Sequence, residues 1–126
     1  MANPILIAVG DLFFSSKLDA TARALGISIR CLVTCEQVLE TASQEVTPLI
    51  VVDLDSVGGD PVGLVRSLKG DSKTQGIPVV GFLRHTSVEL RQQALEAGCN
   101  EVLVRSTFVE VLPEILKSYA DPGARS

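Results

Sequence analysis

A chain of 126 residues, 46% of them hydrophobic, is long enough to bury one proper core and reads as a single domain. Its formal net charge of −4, with the basic residues scattered, argues against a nucleic-acid surface. No apolar run approaches the roughly 20 residues of a membrane span, and Met1-Ala2-Asn3-Pro4 carries neither a basic nor an apolar leader segment, so a cytoplasmic location is expected.

Residues 5–9 (ILIAV) read as the first strand. Asp11 follows, then a helical stripe of Phe14, Leu18, Ala22 and Leu25 that Gly26 terminates. Residues 27–33 form the expected second strand, apolar at Ile27, Ile29 and Cys31. Thr34 and Gln37 have the spacing of a capping box and open a second helix that runs to about Gln44. Residues 49–53 are an apolar run that ends in Asp53, with Asp55 and the Gly58-Gly59 turn behind it. Asp60-Pro61 then supplies an N-cap and a first-turn proline, with Val62, Val65 and Leu68 as the buried face. A fourth strand spans 77–83. The pair Thr86 and Glu89 predicts a capping box for a helix that closes at Gly98. Residues 101–104 make a short fifth strand. The last helix carries Leu112, Ile115, Leu116 and Tyr119, and its regular part is expected from about Pro113, because proline in a helix interior costs about 3 kcal/mol. The ordered core should cover about 4–120 of the single domain, with 121–126 frayed.

Five strand-helix pairs with short connections predict a parallel sheet with helices on both faces, a three-layer α/β/α architecture. Right-handed crossovers favour the strand order 2-1-3-4-5. The ends of strands one and three then lie side by side at the switch point, where ligands bind in such sheets. That order brings Gly10 and Asp11 beside Asp53.

The three cysteines, Cys31, Cys35 and Cys99, are an odd number without a CxxC pair, and are read as reduced, partly buried thiols. His85, the one histidine, is read as an ordinary residue of the loop after strand four. Phe14 fits the core stripe. Phe13 is a core residue by default, or else lies partly exposed beside Asp53.

With Asp53 at the end of strand three, Ile77-Pro78 at strand four and Arg105 after strand five, the chain resembles a response-regulator receiver domain, the CheY-like, flavodoxin-like module of two-component and phosphorelay signalling. The resemblance covers nearly the whole chain. It implies that Asp53 is the phosphoacceptor and that Mg²⁺ is held by Asp11, Asp53 and the backbone carbonyl of Asp55, with Arg105 as the cation paired with the phosphoryl group. Four positions depart from the family pattern. Gly10 stands where the family has the first of two acids. Leu83 replaces the hydroxyl residue that ends strand four. Val102 replaces the switching aromatic residue of strand five. Ser106 replaces a cis-proline, and since a cis bond before a non-proline costs about 2.5–4 kcal/mol, a trans peptide is expected there.

These departures weaken both the metal site, which keeps two of three carboxylates, and the relay that would sense phosphorylation. The chain is therefore read as an atypical receiver, a pseudo-receiver without enzymatic activity of its own and with no catalytic residues. It would act as a protein-interaction module with impaired or absent aspartyl phosphorylation, needing no cofactor and taking Mg²⁺ only weakly. The alternative is a functional receiver phosphorylated on Asp53 with Mg²⁺. The bland reading of the same residues makes Asp11 a helix cap, Asp53 a loop cap paired with Arg105, and Asp55 and Asp60 turn and capping residues. A remote alternative, a haloacid-dehalogenase-like phosphatase using Asp53 and Asp55, lacks a downstream acidic pair. Cobalamin and flavin modules lack, respectively, a histidine after strand one and the aromatic residues to hold a ring. The expected partner is a sensor kinase or downstream signalling protein, or a second copy of the chain. It would meet the face of the fourth helix, fifth strand and fifth helix, with Glu89, Arg91, Glu96, Glu110, Glu114 and Lys117. No nucleic acid or membrane partner is expected.

Overall fold

Apolar residues fill the central strands without alternation because both faces of the sheet are covered. The computed structural model describes residues 3–84 and 87–120. Its elements are β1 (Ile5–Ala8), α1 (Leu12–Leu25), β2 (Ile29–Leu32), α2 (Cys35–Gln44), β3 (Ile50–Asp53), α3 (Pro61–Gly70), β4 (Val79–Leu83), α4 (Val88–Ala97), β5 (Glu101–Val104) and α5 (Arg105–Tyr119). All strand pairs are parallel, and the sheet order is β2-β1-β3-β4-β5, as the sequence predicts.

Successive residues of a strand point to opposite faces, and two cores result. Leu6, Ala8, Ile50, Val52 and Val79 pack with Val38 of α2, Leu64, Val65 and Leu68 of α3, and Ala94 of α4. On the other face Ile5, Ile7, Val51, Val80 and Phe82 pack with Phe14 and Leu18 of α1 and Phe108, Leu112 and Leu116 of α5. The middle strands β1, β3 and β4 are wholly buried, whereas the edge strands β2 and β5 are only partly so. Each strand is expected to have its carboxyl end on the same edge in an all-parallel sheet, and the register Ala8↔Val52 sets the ends of β1 and β3 together.

The helix boundaries follow local chemistry. Asp11 caps α1, its carboxylate accepting from the Phe14 amide, and Gly26 closes it in the left-handed region at φ 70°. The Thr34–Gln37 capping box opens α2 in both directions. Asp60 caps α3 ahead of Pro61.

Four expectations change. The α5 helix starts at Arg105, not near Pro113, so Pro113 lies inside it. The reason is burial: Phe108 and Leu112, both upstream of the proline, are 0% and 3% exposed, and their packing requires the early turns to be helical. For α4 the cap is Ser87, whose hydroxyl accepts from the Leu90 amide; Thr86 lies outside the described residues. In α3 it is Leu64 that is buried, while Val62 is only partly covered. Strands β2 and β4 are shorter than 27–33 and 77–83, starting at Ile29 and Val79. The tail 121–126 also lies outside the described residues.

Candidate functional site

Asp53 ends β3 and is 0% exposed. A buried carboxylate is costly unless its oxygens are hydrogen-bonded, and here the chain itself supplies the donors. One oxygen accepts from the amides of Asp55 and Ser56, at 3.0 and 3.2 Å. The other accepts from the Ser56 hydroxyl at 2.5 Å. Asp53 thus clamps the loop that follows it, a local side-chain-to-backbone pattern that Ser and Asp favour. Ser56 Oγ in turn accepts from the Gly10 amide at 3.1 Å, which ties the β3 loop to the end of β1.

That tie explains Gly10. A Cβ on Gly10 would collide with the Ser56 carbonyl oxygen, a backbone atom that cannot rotate away. The missing acid and the inward loop are one packing arrangement.

Asp11 is 21% exposed and faces two arginines. Its Oδ2 lies 3.0 Å from Arg84 and 3.6 Å from Arg105, while Oδ1 accepts from the Phe14 amide at 3.1 Å. The Phe14 amide does most to hold its carboxyl below the ordinary value. Partial burial opposes this, and the Arg105 charge, the Phe13 amide and the Arg84 charge add to it. Arg105 also lies 3.8 Å above the Phe14 ring, a cation–π contact that fixes its guanidinium. The expected pairing of Arg105 with Asp53 is replaced by pairing with Asp11. Burial of Asp53 leaves no oxygen for a guanidinium, whereas Asp11 sits at the rim.

Asp55 is exposed, and its carboxylate accepts from the Arg84 backbone amide. Leu83 and Val102 are each 3% exposed and belong to the core beneath α4. The Arg105–Ser106 region carries no cis bond. His85 lies outside the described residues.

Two residues that complete this edge of the sheet were not foreseen, Arg84 and Ser56. Arg84 directly follows the last residue of β4, a position that an α/β sheet always brings to the switch-point edge. Ser56 stands three residues after Asp53, the spacing at which a side-chain oxygen meets a local hydroxyl or amide. Both signals were in the sequence.

Among the described residues, no group of three or more His, Cys, Asp or Glu side chains is arranged to hold a metal ion. No helix among the described residues is long and apolar enough to cross a membrane.

No family model matches the chain, and no curated protein matches it. Solved structures match over nearly its whole length. The receiver domain of a sensor histidine kinase from Pseudomonas aeruginosa PAO1, with a magnesium ion coordinated in its active-site cleft, is 18% identical; the alignment covers 94% of this chain and 98% of that one, with a TM-score of 0.82. The chemotaxis response regulator CheY4 of Vibrio cholerae is 17% identical over 92% of this chain and 100% of its own, with a TM-score of 0.78. The beryllofluoride-activated receiver domain of RstA from Klebsiella pneumoniae is 22% identical over 93% and 97%, with a TM-score of 0.79. With five parallel strands in the order 2-1-3-4-5 and a helix after each, this chain has the flavodoxin-like fold of response-regulator receiver domains.

Proposed function

We propose that this protein is a receiver-like interaction module of two-component or phosphorelay signalling that works without phosphorylation of Asp53. The observation that carries the reading is the state of that carboxylate, which is fully buried with both oxygens engaged by Ser56 and the loop amides. An aspartate that attacks phosphorus must present a free oxygen in line with the phosphoryl donor. Asp53 would have to break the loop clamp first.

The other parts agree with this reading. Mg²⁺ needs several hard oxygen ligands in near-octahedral geometry. The acids here fit it poorly. Gly10 offers no carboxylate, Asp53 has its oxygens engaged, and Asp11 is neutralised by two guanidinium groups. Leu83 and Val102 are packed in the core, so neither a hydroxyl nor an aromatic side chain is available there to follow a phosphoryl group. A phosphatase reading is also poorly served, because the Asp55 carboxylate that would act as general acid is bonded to the Arg84 amide.

Output would then depend on surface recognition. Between α4 and β5 runs a groove of about 260 Å³, lined by Val88, Arg91 and Gln92 on one side and Val102, Leu103 and Val104 on the other. Val88, 81% exposed, gives it an apolar lip. A signalling protein, or a second copy of the chain, would dock on this face.

The test is intact-mass analysis after incubation with acetyl phosphate and millimolar Mg²⁺, alongside Asp53→Ala. The expected result is an unchanged mass in both proteins. A phosphoryl adduct on the wild type that disappears in Asp53→Ala would replace this reading with that of a working receiver.

A further inference from the structure

We propose that the open cleft between the beginnings of α1 and α5 binds a nucleotide-like phosphate monoester, a small anion with a flat aromatic body. The cleft has a volume of about 770 Å³, within the range of roughly 300–1,000 Å³ typical of small-ligand sites. It lies outside the clamped Asp53 loop. The signalling reading above uses Arg84 and Arg105 only as partners of Asp11 and gives the cleft itself no role.

Three of its lining residues are cations, Lys17, Arg84 and Arg105, and none is an acid. Asp11 is in ion-pair contact with Arg84 and Arg105, and Lys17 makes no ion pair among the described residues. Asp11 is shared between two arginines, and the Asp55 carboxylate meets the Arg84 backbone amide from outside the cleft, so the lining itself presents cations only. This occurs on a chain whose formal net charge is −4. A phosphate monoester carries about 1.5 to 2 negative charges at neutral pH and complements a lining of cations. Guanidinium groups are also suited to phosphate oxygens, which they can meet through two parallel hydrogen bonds. Arg105 is already oriented by its contact with the Phe14 ring, which lowers the entropy cost of using it.

The aromatic part follows from Phe13. Phe13 is 92% exposed and lines the cleft, where it presents a free aromatic face. Val109 lines the same cleft. A planar base stacked on Phe13 would cover it, while the phosphate sits among the arginines and Lys17. Ser106, in the first turn of α5, adds a hydroxyl, and α5 itself starts without a side-chain cap. Bare inorganic phosphate would leave both Phe13 and most of the cleft uncovered.

The experiment is an amide-shift NMR titration in divalent-free buffer with adenosine monophosphate, adenosine and inorganic phosphate. Adenosine monophosphate should give saturable shifts at Phe13, Lys17, Arg84, Arg105 and Ser106, and bind more tightly than either fragment. Arg84→Ala and, separately, Lys17→Ala should each weaken it about tenfold, the size of one lost charge-assisted hydrogen bond. Both side chains are at the surface, and an unchanged spectrum away from the cleft verifies folding of each variant. No saturation at millimolar nucleotide, or full affinity in both variants, would overturn the proposal. So would inorganic phosphate or adenosine binding as tightly as the nucleotide. Adenosine monophosphate is a low-energy phosphate monoester, not an acyl phosphate, and does not phosphorylate a carboxylate, so this result is independent of the acetyl phosphate test.

Discussion

At Gly10 the absence of a side chain lets the Ser56 carbonyl approach the backbone, and the same loop holds Asp53 inward. Gly10→Ala places a carbon against a backbone oxygen and should cost about 1–3 kcal/mol, the range for forced overpacking. Its measure is the shift of the urea midpoint, and no shift would mean that the loop yields freely. Asp11 makes a second, pH-dependent contribution. Its carboxyl is held low in the folded state by the Phe14 amide and the two arginines. A depressed folded value gives stability that is present above the unfolded value, about 3.9, and lost as the pH falls through the folded one. Asp11→Asn keeps an oxygen for the Phe14 amide but removes the charge. The variant should therefore be less stable than wild type at pH 7, and the gap should narrow as the pH falls below about 4. Denaturant titrations of both proteins at pH 7 and pH 3 check this, and a gap independent of pH would refute it.

The α5 helix shows how an element settles a conflict between local preference and packing. Pro113 in its interior costs about 3 kcal/mol relative to alanine. Against this stands the burial of Phe108, more than one turn upstream, and of Leu112, the residue just before the proline. The Phe108 ring stacks on Phe82 of β4 at 4.4 Å and 6°, and Phe14 of α1 meets both rings at 5.4 and 6.3 Å. Removing a buried phenylalanine costs about 3–5 kcal/mol, so keeping these turns helical outweighs the proline. Phe108→Ala should lose a comparable amount of unfolding free energy in urea. A loss as small as that of a surface substitution would show that the helix is held by something other than the aromatic cluster.

Across the whole molecule the two-sided burial of the sheet also sets the thiol chemistry. Burial pushes the Cys99 thiol up to about 11 against a small opposing pull from Lys69, and burial followed by the Asp19 charge does the same for Cys31. At neutral pH both are protonated and poor nucleophiles. A thiol reagent at pH 7 should label Cys99 only as fast as the protein unfolds, with a rate that climbs along the denaturant curve; prompt labelling in native buffer would mean that the sheet opens locally. The same two-sided burial explains what could be read from the residues alone. Continuous apolar runs at 49–53 and 77–83, the Thr34–Gln37 and Asp60-Pro61 caps and Gly26 are short-range signals, and they sufficed for five βα units and their order. The ends of β1 and β3 as the place of interest followed from that order. The partnerships there did not. Arg84 meets Asp11 across 73 residues of sequence, and whether Arg105 chooses Asp11 or Asp53 depends on which carboxylate is left accessible. Periodicity reports which residues are buried along one segment. It carries no information about distances between loops that belong to different strands, and those distances, set by the packed sheet, decided that Asp53 turned inward and that the arginines gathered on Asp11.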